Sequence, residues 1–499
     1  MNFLNFLWRL LCLATAYKAK LLCSGVFVSQ RDPQSLLSLD LAVDALFLLR
    51  LIPVTIDAEA QTVTASILGL ARCTALYRPG LGSTLVIDTT VKALHQQVQD
   101  LSPNPSPLHH STQSPSALQI LGMNGSSRAE AVLPPKSPNS GGLQVSSLPQ
   151  DWRVANHPIT KQSPRSPLED GDLGGWGSRR PEITPVLDLA FTQPRRQRTR
   201  AVAIAQAGEI IAERYAPGFT ATMPLLGWSM AKSVVNALVG ILVHQGKLTL
   251  DQCSLLPEWD SPEDSRRAIT LDQLLRMQSG LQFEEVYSDP RSHVTNMLFQ
   301  KADAAAYAAS LPLTDSSGSW SYGSGTTNIL CRIIRHVLGK SLADYWAFPH
   351  QALFGPLGMT SAVLEPDAAG TFIGSSFMYA TARDWLKLGQ LYLQDGRWQG
   401  QQLLPEGWVQ YSVAPSDPGQ RYGAHFWRQV PLSFASQQVP RPTLPADTFM
   451  ASGYQGQILT IIPSLQLVVV RLGLSQRRHS WDHEQFIADW VKALTPNLA

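Results

Sequence analysis

Apolar residues recur at helical spacing from Ser229 to Gly246, where Met230, Val234, Leu238, Ile241 and Leu242 form one stripe and Gly246 supplies a stop. Similar patterns predict helices over 326–338, 341–353, 381–395 and 481–494. Thr270-Leu271-Asp272-Gln273 reads as a capping box opening another helix, which Gly280 would close. Two dense apolar runs, Ile458 to Ile462 and Leu467 to Leu472, flank Pro463-Ser464 and predict strands. Far upstream, Val202-Ala203-Ile204-Ala205 and Ile210-Ile211-Ala212 bracket Gln206-Ala207-Gly208-Glu209 as a hairpin. A hairpin, many helices, then strands is the order of a sheet whose first and last strands pair around a helical insertion. The expectation is an α/β (α+β) domain over 181–499, with an antiparallel sheet flanked by helices plus an all-helical region.

The N-terminal part reads differently. Residues 29–97 predict a small α/β unit: an apolar helical stretch over Leu36 to Leu51, then β-type residues from Val54 to Leu68 around Asp57-Ala58-Glu59-Ala60. Pro79-Gly80-Leu81-Gly82 marks another turn. Over 98–180, repeated Ser-Pro pairs, Gly141-Gly142 and Gly174-Gly175 leave little to bury, which predicts a disordered linker. Residues 1–28 hold a short apolar run, Phe3 to Leu13, followed by Ala14-Thr15-Ala16, a cleavage-like triplet. Arg9 interrupts that run, and Lys18 and Lys20 would fall inside a membrane if the segment were extended to Val28. The leading expectation is a signal peptide or membrane anchor, giving an exported, periplasmic or membrane-tethered protein. A buried N-terminal helix is the other reading.

Composition removes several classes. Of the 499 residues, 44% are apolar and 16% charged, and a net charge of +2 offers no attraction for nucleic acid. The run Arg195, Arg196, Arg198, Arg200 is read as a solvated loop. None of the five cysteines forms a CxxC pair; Cys253 and Cys331 are expected as core fillers, and Cys23 and Cys73 could pair in an oxidising compartment. His479, Asp482, His483 and Glu484 group potential ligands, but Ser480 suits the N-cap of the last helix, so no metal is expected. No phosphate-binding loop, dinucleotide fingerprint or HExxH occurs, and no cofactor is expected.

Three segments carry candidate chemistry. In Ser229-Met230-Ala231-Lys232, positions i and i+3 of a helix project to one side. Serine needs an adjacent base to act as a nucleophile, and burial would lower the Lys232 pKa far enough to supply one. Trp320-Ser321-Tyr322-Gly323-Ser324-Gly325 places a tyrosine in a small-residue loop ahead of a helix, as a proton shuttle or as an anchor for the turn. Gly453-Tyr454-Gln455-Gly456-Gln457 leads into the strand at Ile458, where the Gln457 N–H could complete an oxyanion hole.

Ser-x-x-Lys, Tyr-x-Ser and a glycine-flanked triplet on the last strands together resemble the β-lactamase family, nearest its class C and esterase branch. Met277-Gln278-Ser279-Gly280-Leu281 and Phe354-Gly355-Pro356-Leu357-Gly358-Met359 resemble the same family. Trp228 to Ser233, Phe283-Glu284-Glu285-Val286-Tyr287 and Gly325-Thr326-Thr327-Asn328 resemble its 6-aminohexanoate-dimer hydrolase branch. The resemblance covers 183–495 and implies a β-lactamase/transpeptidase-like fold and an acyl-enzyme on Ser229. Lys232 and Tyr322 would move its proton, with the N–H groups of Ser229 and Gln457 as oxyanion donors. Tyr454, Gly456, Ser324 and Tyr287 become substrate-side residues, Tyr287 with a packed loop aromatic as its plainer reading. Where the family usually has Lys-Thr-Gly, the matching triplet reads Tyr454-Gln455-Gly456. Loss of that cation removes a contact to a substrate carboxylate worth about 1.5–3 kcal/mol. The expected substrate is therefore a small ester or amide, not a penicillin. A penicillin-binding D-amino-acid peptidase and a non-catalytic binding protein retaining the fold are the alternatives.

Overall fold

The computed structural model describes residues 3–41, 49, 51–99, 176–178, 183–314, 318–339 and 341–495. Its centre is an antiparallel sheet built from both ends of the main domain. Strands β6 (Thr199–Gln206) and β7 (Glu209–Tyr215) form the expected hairpin, and β6 pairs with β10 (Leu467–Gly473), Val469 opposite Ile204. Strand β9 (Gln457–Ile462) pairs with β10, and β8 (Phe449–Gly453) lies outside β9 at one edge. At the other edge β5 (Trp176–Ser178) pairs with β7, so these three residues of the stretch read as linker extend the sheet. The rest of 100–175 and 179–180 lies outside the described residues.

Both faces of the inner strands are covered, which explains why they read as continuous apolar runs rather than alternating ones. Val202, Ile204, Ile458, Ile462, Leu467 and Val469 pack against Phe486 and Trp490 of the last helix, His483–Leu494. On the opposite face the helix Ala382–Leu393 crosses so closely that a Cβ on Gly389 would overlap Val468. The last helix is capped by Asp482, whose carboxylate accepts from the Gln485 N–H, and not by Ser480. The capping box of Thr270 and Gln273 is present, though its helix stops at Leu275, well before Gly280.

Residues 3–99 belong to the same compact unit as the main domain. Helix α1 (Phe3–Phe27) lies across a four-stranded sheet of β1 (Val54–Asp57), β2 (Thr62–Ile67), β3 (Ala71–Arg78) and β4 (Gly82–Leu85), followed by α2 (Val91–Gln99). Among the described residues α1 alone is long and apolar enough to cross a membrane. Its first turns expose Leu7, Trp8 and Leu10, whereas Ala16, Ala19, Leu22 and Cys23 are buried in the protein. Lys18 and Lys20, the obstacles to a spanning segment, are buried and hydrogen-bonded. Lys18 Nζ donates to the carbonyls of Leu49 at 2.7 Å and Ile52 at 2.6 Å. Lys20 Nζ pairs with Glu365 at 2.5 Å and also donates to the Ser83 carbonyl. Of the expected helix over 36–51, a short π-helical turn over Leu36–Asp40 is described; 42–48 and 50 lie outside the described residues.

Of the two cysteines expected in the core, one is there. Cys253 is exposed and fills no core, while Cys331 is buried. Cys23 and Cys73 are free thiols, and Cys23 points at the Ala75 carbonyl at 3.7 Å.

Candidate active site

Ser229 lies in a 3-10 turn, Trp228–Met230, that runs directly into α3 (Ala231–His244). Trp228 ahead of it holds φ +49°, a left-handed conformation costly for a bulky residue and tolerated only where packing over-determines it. Here the ring is buried against Phe377 and the edge of Tyr454, and a Cβ on Gly227 would overlap Trp385. The turn that carries Ser229 is thus held from several sides, with Ser229 itself half-buried.

Lys232, in the first turn of α3, is 1% exposed. Its Nζ stands 3.1 Å from Ser229 Oγ, 3.0 Å from Ser324 Oγ and 2.9 Å from the Ser375 carbonyl oxygen. The Ser375 N–H donates to Asn328 Oδ1 at 3.1 Å, which fixes the carbonyl that Lys232 uses. Burial pushes the Lys232 pKa down to about 8, opposed by the negative charge of Glu285. A lysine in that range can accept a proton near neutral pH.

Tyr322 and Ser324 arrive together on the loop that enters the helix Ser324–Leu338. The Tyr322 ring sits 5.0 Å from Lys232 Nζ and is boxed in by Tyr422 and Trp427, each at 5.7 Å. Burial, then the charge of Glu285, raise the Tyr322 phenol well above its usual range, while a contact with Ser229 pulls it down. Tyr287 stacks on Tyr454 at 6.0 Å and 8°; both are exposed at the rim, 38% and 46%.

The third segment needs a correction. Gly453, at the end of the edge strand β8, is the residue that lies against Ser229: a Cβ there would collide with the Gly227 carbonyl and come within 3.2 Å of Ser229 N. Gln457 pairs opposite Gly453 from the next strand in. Its side chain closes on local backbone, donating to Gly473 O at 2.6 Å and accepting from Gly473 N at 2.9 Å. Gly456 has φ +81°, and a Cβ there would strike the Arg471 guanidinium, which is turned to the sheet and not to Ser229. The residue following the contact glycine is Tyr454, so the triplet beside Ser229 is Ala451-Ser452-Gly453. It too carries no cation. The three-residue shift escaped sequence reading because both glycines suit a tight turn, and only the close approach of two backbones tells them apart.

Three further residues belong to the site. Glu285 accepts from Ser324 N at 2.9 Å, Ser324 Oγ at 2.6 Å and Tyr287 Oη at 3.1 Å. Asn328, one helical turn after Ser324, holds Ser375 as described. His425, buried at φ +63°, lies 2.8 Å from the Leu275 carbonyl through Nδ1. That nitrogen must carry the proton, leaving Nε2 to accept from Thr327 Oγ1 at 2.8 Å. Burial drives the His425 pKa down to about 3, with Lys232 adding to the fall, so it stays neutral beneath the site. Local pattern could flag Asn328, four residues after Ser324 on one helix face; Glu285 and His425 reach the site only through tertiary packing. His483 is no ligand here: its Nε2 meets Thr460 Oγ1 at 2.7 Å and its Nδ1 accepts from Trp481.

The sequence profile of the beta-lactamase family matches residues 189–489, more than half of the chain. The chain belongs to the beta-lactamase family. The 6-aminohexanoate-dimer hydrolase of Paenarthrobacter ureafaciens is 24% identical over 337 residues, covering 63% of this chain and 81% of that protein. A Bacillus anthracis structure provisionally named 6-aminohexanoate-dimer hydrolase superposes with a TM-score of 0.51 at 21% identity, over 62% of this chain and 81% of that one. A Bacteroides dorei structure provisionally named beta-lactamase gives 0.51 at 18% identity, over 63% of this chain and 99% of that one. The β-lactamase/transpeptidase-like fold, with its antiparallel sheet flanked by helices, follows from the match and from the sheet itself. This beta-lactamase-family protein is a serine hydrolase related to the 6-aminohexanoate-dimer hydrolases.

Proposed function

We propose that this hydrolase cleaves an uncharged carboxylic ester or small amide through an acyl-enzyme on Ser229. The observation that carries the reading is the buried Lys232, hydrogen-bonded to Ser229 Oγ and held near a pKa of about 8. Lys232 takes the serine proton as Ser229 attacks the acyl carbon. Tyr322, kept protonated by its surroundings, delivers a proton to the leaving oxygen or nitrogen, and the proton that Lys232 took passes back to Tyr322. The backbone N–H groups of Ser229 and Tyr454 hold the oxyanion, and water then releases the acid.

The neutral substrate is supported by what surrounds the serine. Tyr287, Tyr322 and Tyr454 present aromatic surface, and Ala451 and Tyr454 both lack the charge that a carboxylate-bearing β-lactam or D-amino-acid peptide would meet. The nearest cation, Lys232, is committed to Ser229, Ser324 and Ser375.

Intact-mass measurement after treatment with a fluorophosphonate tests this reading. One adduct is expected on the wild type, none on Ser229→Ala and a much slower one on Lys232→Ala. A folded wild type that never forms an adduct would leave a binding protein on a hydrolase scaffold. Acylation by a fluorescent penicillin as fast as by p-nitrophenyl acetate would move the function to the penicillin-binding peptidases.

The partner bonds of Lys18 and Lys20 support a place for α1 inside the mature protein, not as a cleaved leader. Any membrane contact would then fall to its exposed first turns, around Leu7, Trp8 and Leu10.

A further inference from the structure

The hydrogen bonds around Lys232 can be assigned donor by donor. The Ser375 carbonyl can only accept, so one N–H of Lys232 belongs to it. Ser324 Oγ has a single proton, and Glu285 Oε1 stands 2.6 Å from that oxygen, the length of a hydroxyl donating to a carboxylate. The same carboxylate accepts the Ser324 N–H at 2.9 Å on Oε2, so its two oxygens clamp one residue through main chain and side chain. With its proton given to Glu285, Ser324 Oγ can only accept from Lys232, at 3.0 Å. A neutral amine has two N–H groups and one lone pair. Both N–H groups are now spoken for, and the remaining direction, 3.1 Å away, is Ser229 Oγ.

We propose that Glu285 is a positioning residue that fixes the direction of the Ser324 hydroxyl and so turns the lone pair of neutral Lys232 onto Ser229. This rests on Ser229 being the nucleophile and Lys232 its base. Without Glu285 the Ser324 hydroxyl is free to donate to Lys232 and compete with Ser229 for the lone pair. Ser324 itself is fully buried, so no solvent takes over the task of orienting it. The groups facing Lys232 are Ser229, Ser324, the Ser375 carbonyl, the Tyr322 ring, the Glu285 charge and the neutral His425. Glu285 is the anion among them, and it favours the ammonium form. Glu285 therefore has two separable effects: it directs the base, and it keeps the base protonated to higher pH.

The experiment follows Ser229 acylation by p-nitrophenyl acetate across pH in four proteins: wild type, Glu285→Gln, Ser324→Ala and the double variant. Glutamine is close in size to glutamate but supplies one acceptor where the carboxylate supplies two. The plateau rate of Glu285→Gln is expected to fall by roughly tenfold or more, within the range that a mispositioned base loses. Its acidic limb is expected to move to lower pH, because the anion that supported the ammonium is gone. Since Glu285 acts on the plateau through Ser324, the double variant should lose no more than the worse single one. A Glu285→Gln plateau equal to wild type, or losses that add in the double variant, would overturn the proposal. Wild type that acylates elsewhere than Ser229 would overturn the reading beneath it, which separates the two failures. Thermal melts alongside show that each variant is folded.

Discussion

Lys20 in the N-terminal helix and Glu365 in the main domain form a buried ion pair, 2.5 Å apart across 345 residues of chain. The carboxylate also accepts from Ser24 Oγ and the Ser83 N–H, and the Lys20 ammonium rests 4.5 Å from the Phe377 ring. Phe377 packs in turn on Trp228, the residue before Ser229. Helix α1 therefore reaches the back of the Ser229 turn through three side chains.

Breaking that pair should be expensive. Glu365→Ala leaves an unmatched buried ammonium, and a loss of about 3–5 kcal/mol is expected. The Lys20→Met/Glu365→Leu double variant should lose less than the two single changes combined. Urea denaturation of wild type, Glu365→Ala, Lys20→Met, Glu365→Leu and the double variant checks this; a Glu365→Ala midpoint within error of wild type would mean that α1 is not docked in solution.

Acylation should depend on pH through Lys232. Its pKa is lowered to about 8, so the neutral base is scarce at pH 6 and abundant above 8. The expected rate rises with pH, reaches half of its plateau near 8 and levels off above that. A rate independent of pH between 6 and 9 would remove Lys232 from the role.

The same group makes a stability prediction with the opposite value to the enzyme. Its folded pKa lies below the unfolded one, so the folded state holds fewer protons between the two values and gains stability as pH rises from about 8 to about 10.5. Below that window the buried ammonium costs roughly 3 kcal/mol, offset in part by its hydrogen bonds. Lys232→Met should therefore abolish acylation and yet stabilise the fold at pH 7, by about 1–2 kcal/mol. Melting temperatures at pH 7 and pH 10 check both the gain and its shrinkage at high pH.

Gly453→Ala tests the correction to the third segment. A methyl there would press on Gly227 O and Ser229 N, and a loss of about a hundredfold in acylation is expected from a small displacement of the nucleophile. Gly456→Ala should damage stability more than acylation, since its methyl meets Arg471 in the sheet. Equal effects on acylation from the two changes would return the contact to Gly456.

The helices after Ser229 and Ser324, the β6–β7 hairpin and the final pair of strands were legible because each carries its own period, and both faces of the inner strands are buried. The pairing of Ser229 with Lys232 and of Tyr322 with Ser324 was legible too, because two short motifs place each pair within one turn of chain. Gly453 was misplaced by three residues, since local sequence cannot show which glycine another backbone touches. Glu285 and His425 were missed as parts of the site for the same reason: their partners, Ser324, Thr327 and Leu275, lie elsewhere in the chain.

The sequence alone determined the period of each element, the spacing of Ser229 and Lys232 and the lack of a cation in the last motif, all of which are local properties of the chain. The tertiary structure alone shows where α1 packs, because a run of apolar residues interrupted by two lysines suits a leader, an anchor or a core helix equally well. Only long-range partners for Lys18 and Lys20 distinguish these, and a carboxylate 345 residues away cannot be read from the segment that needs it.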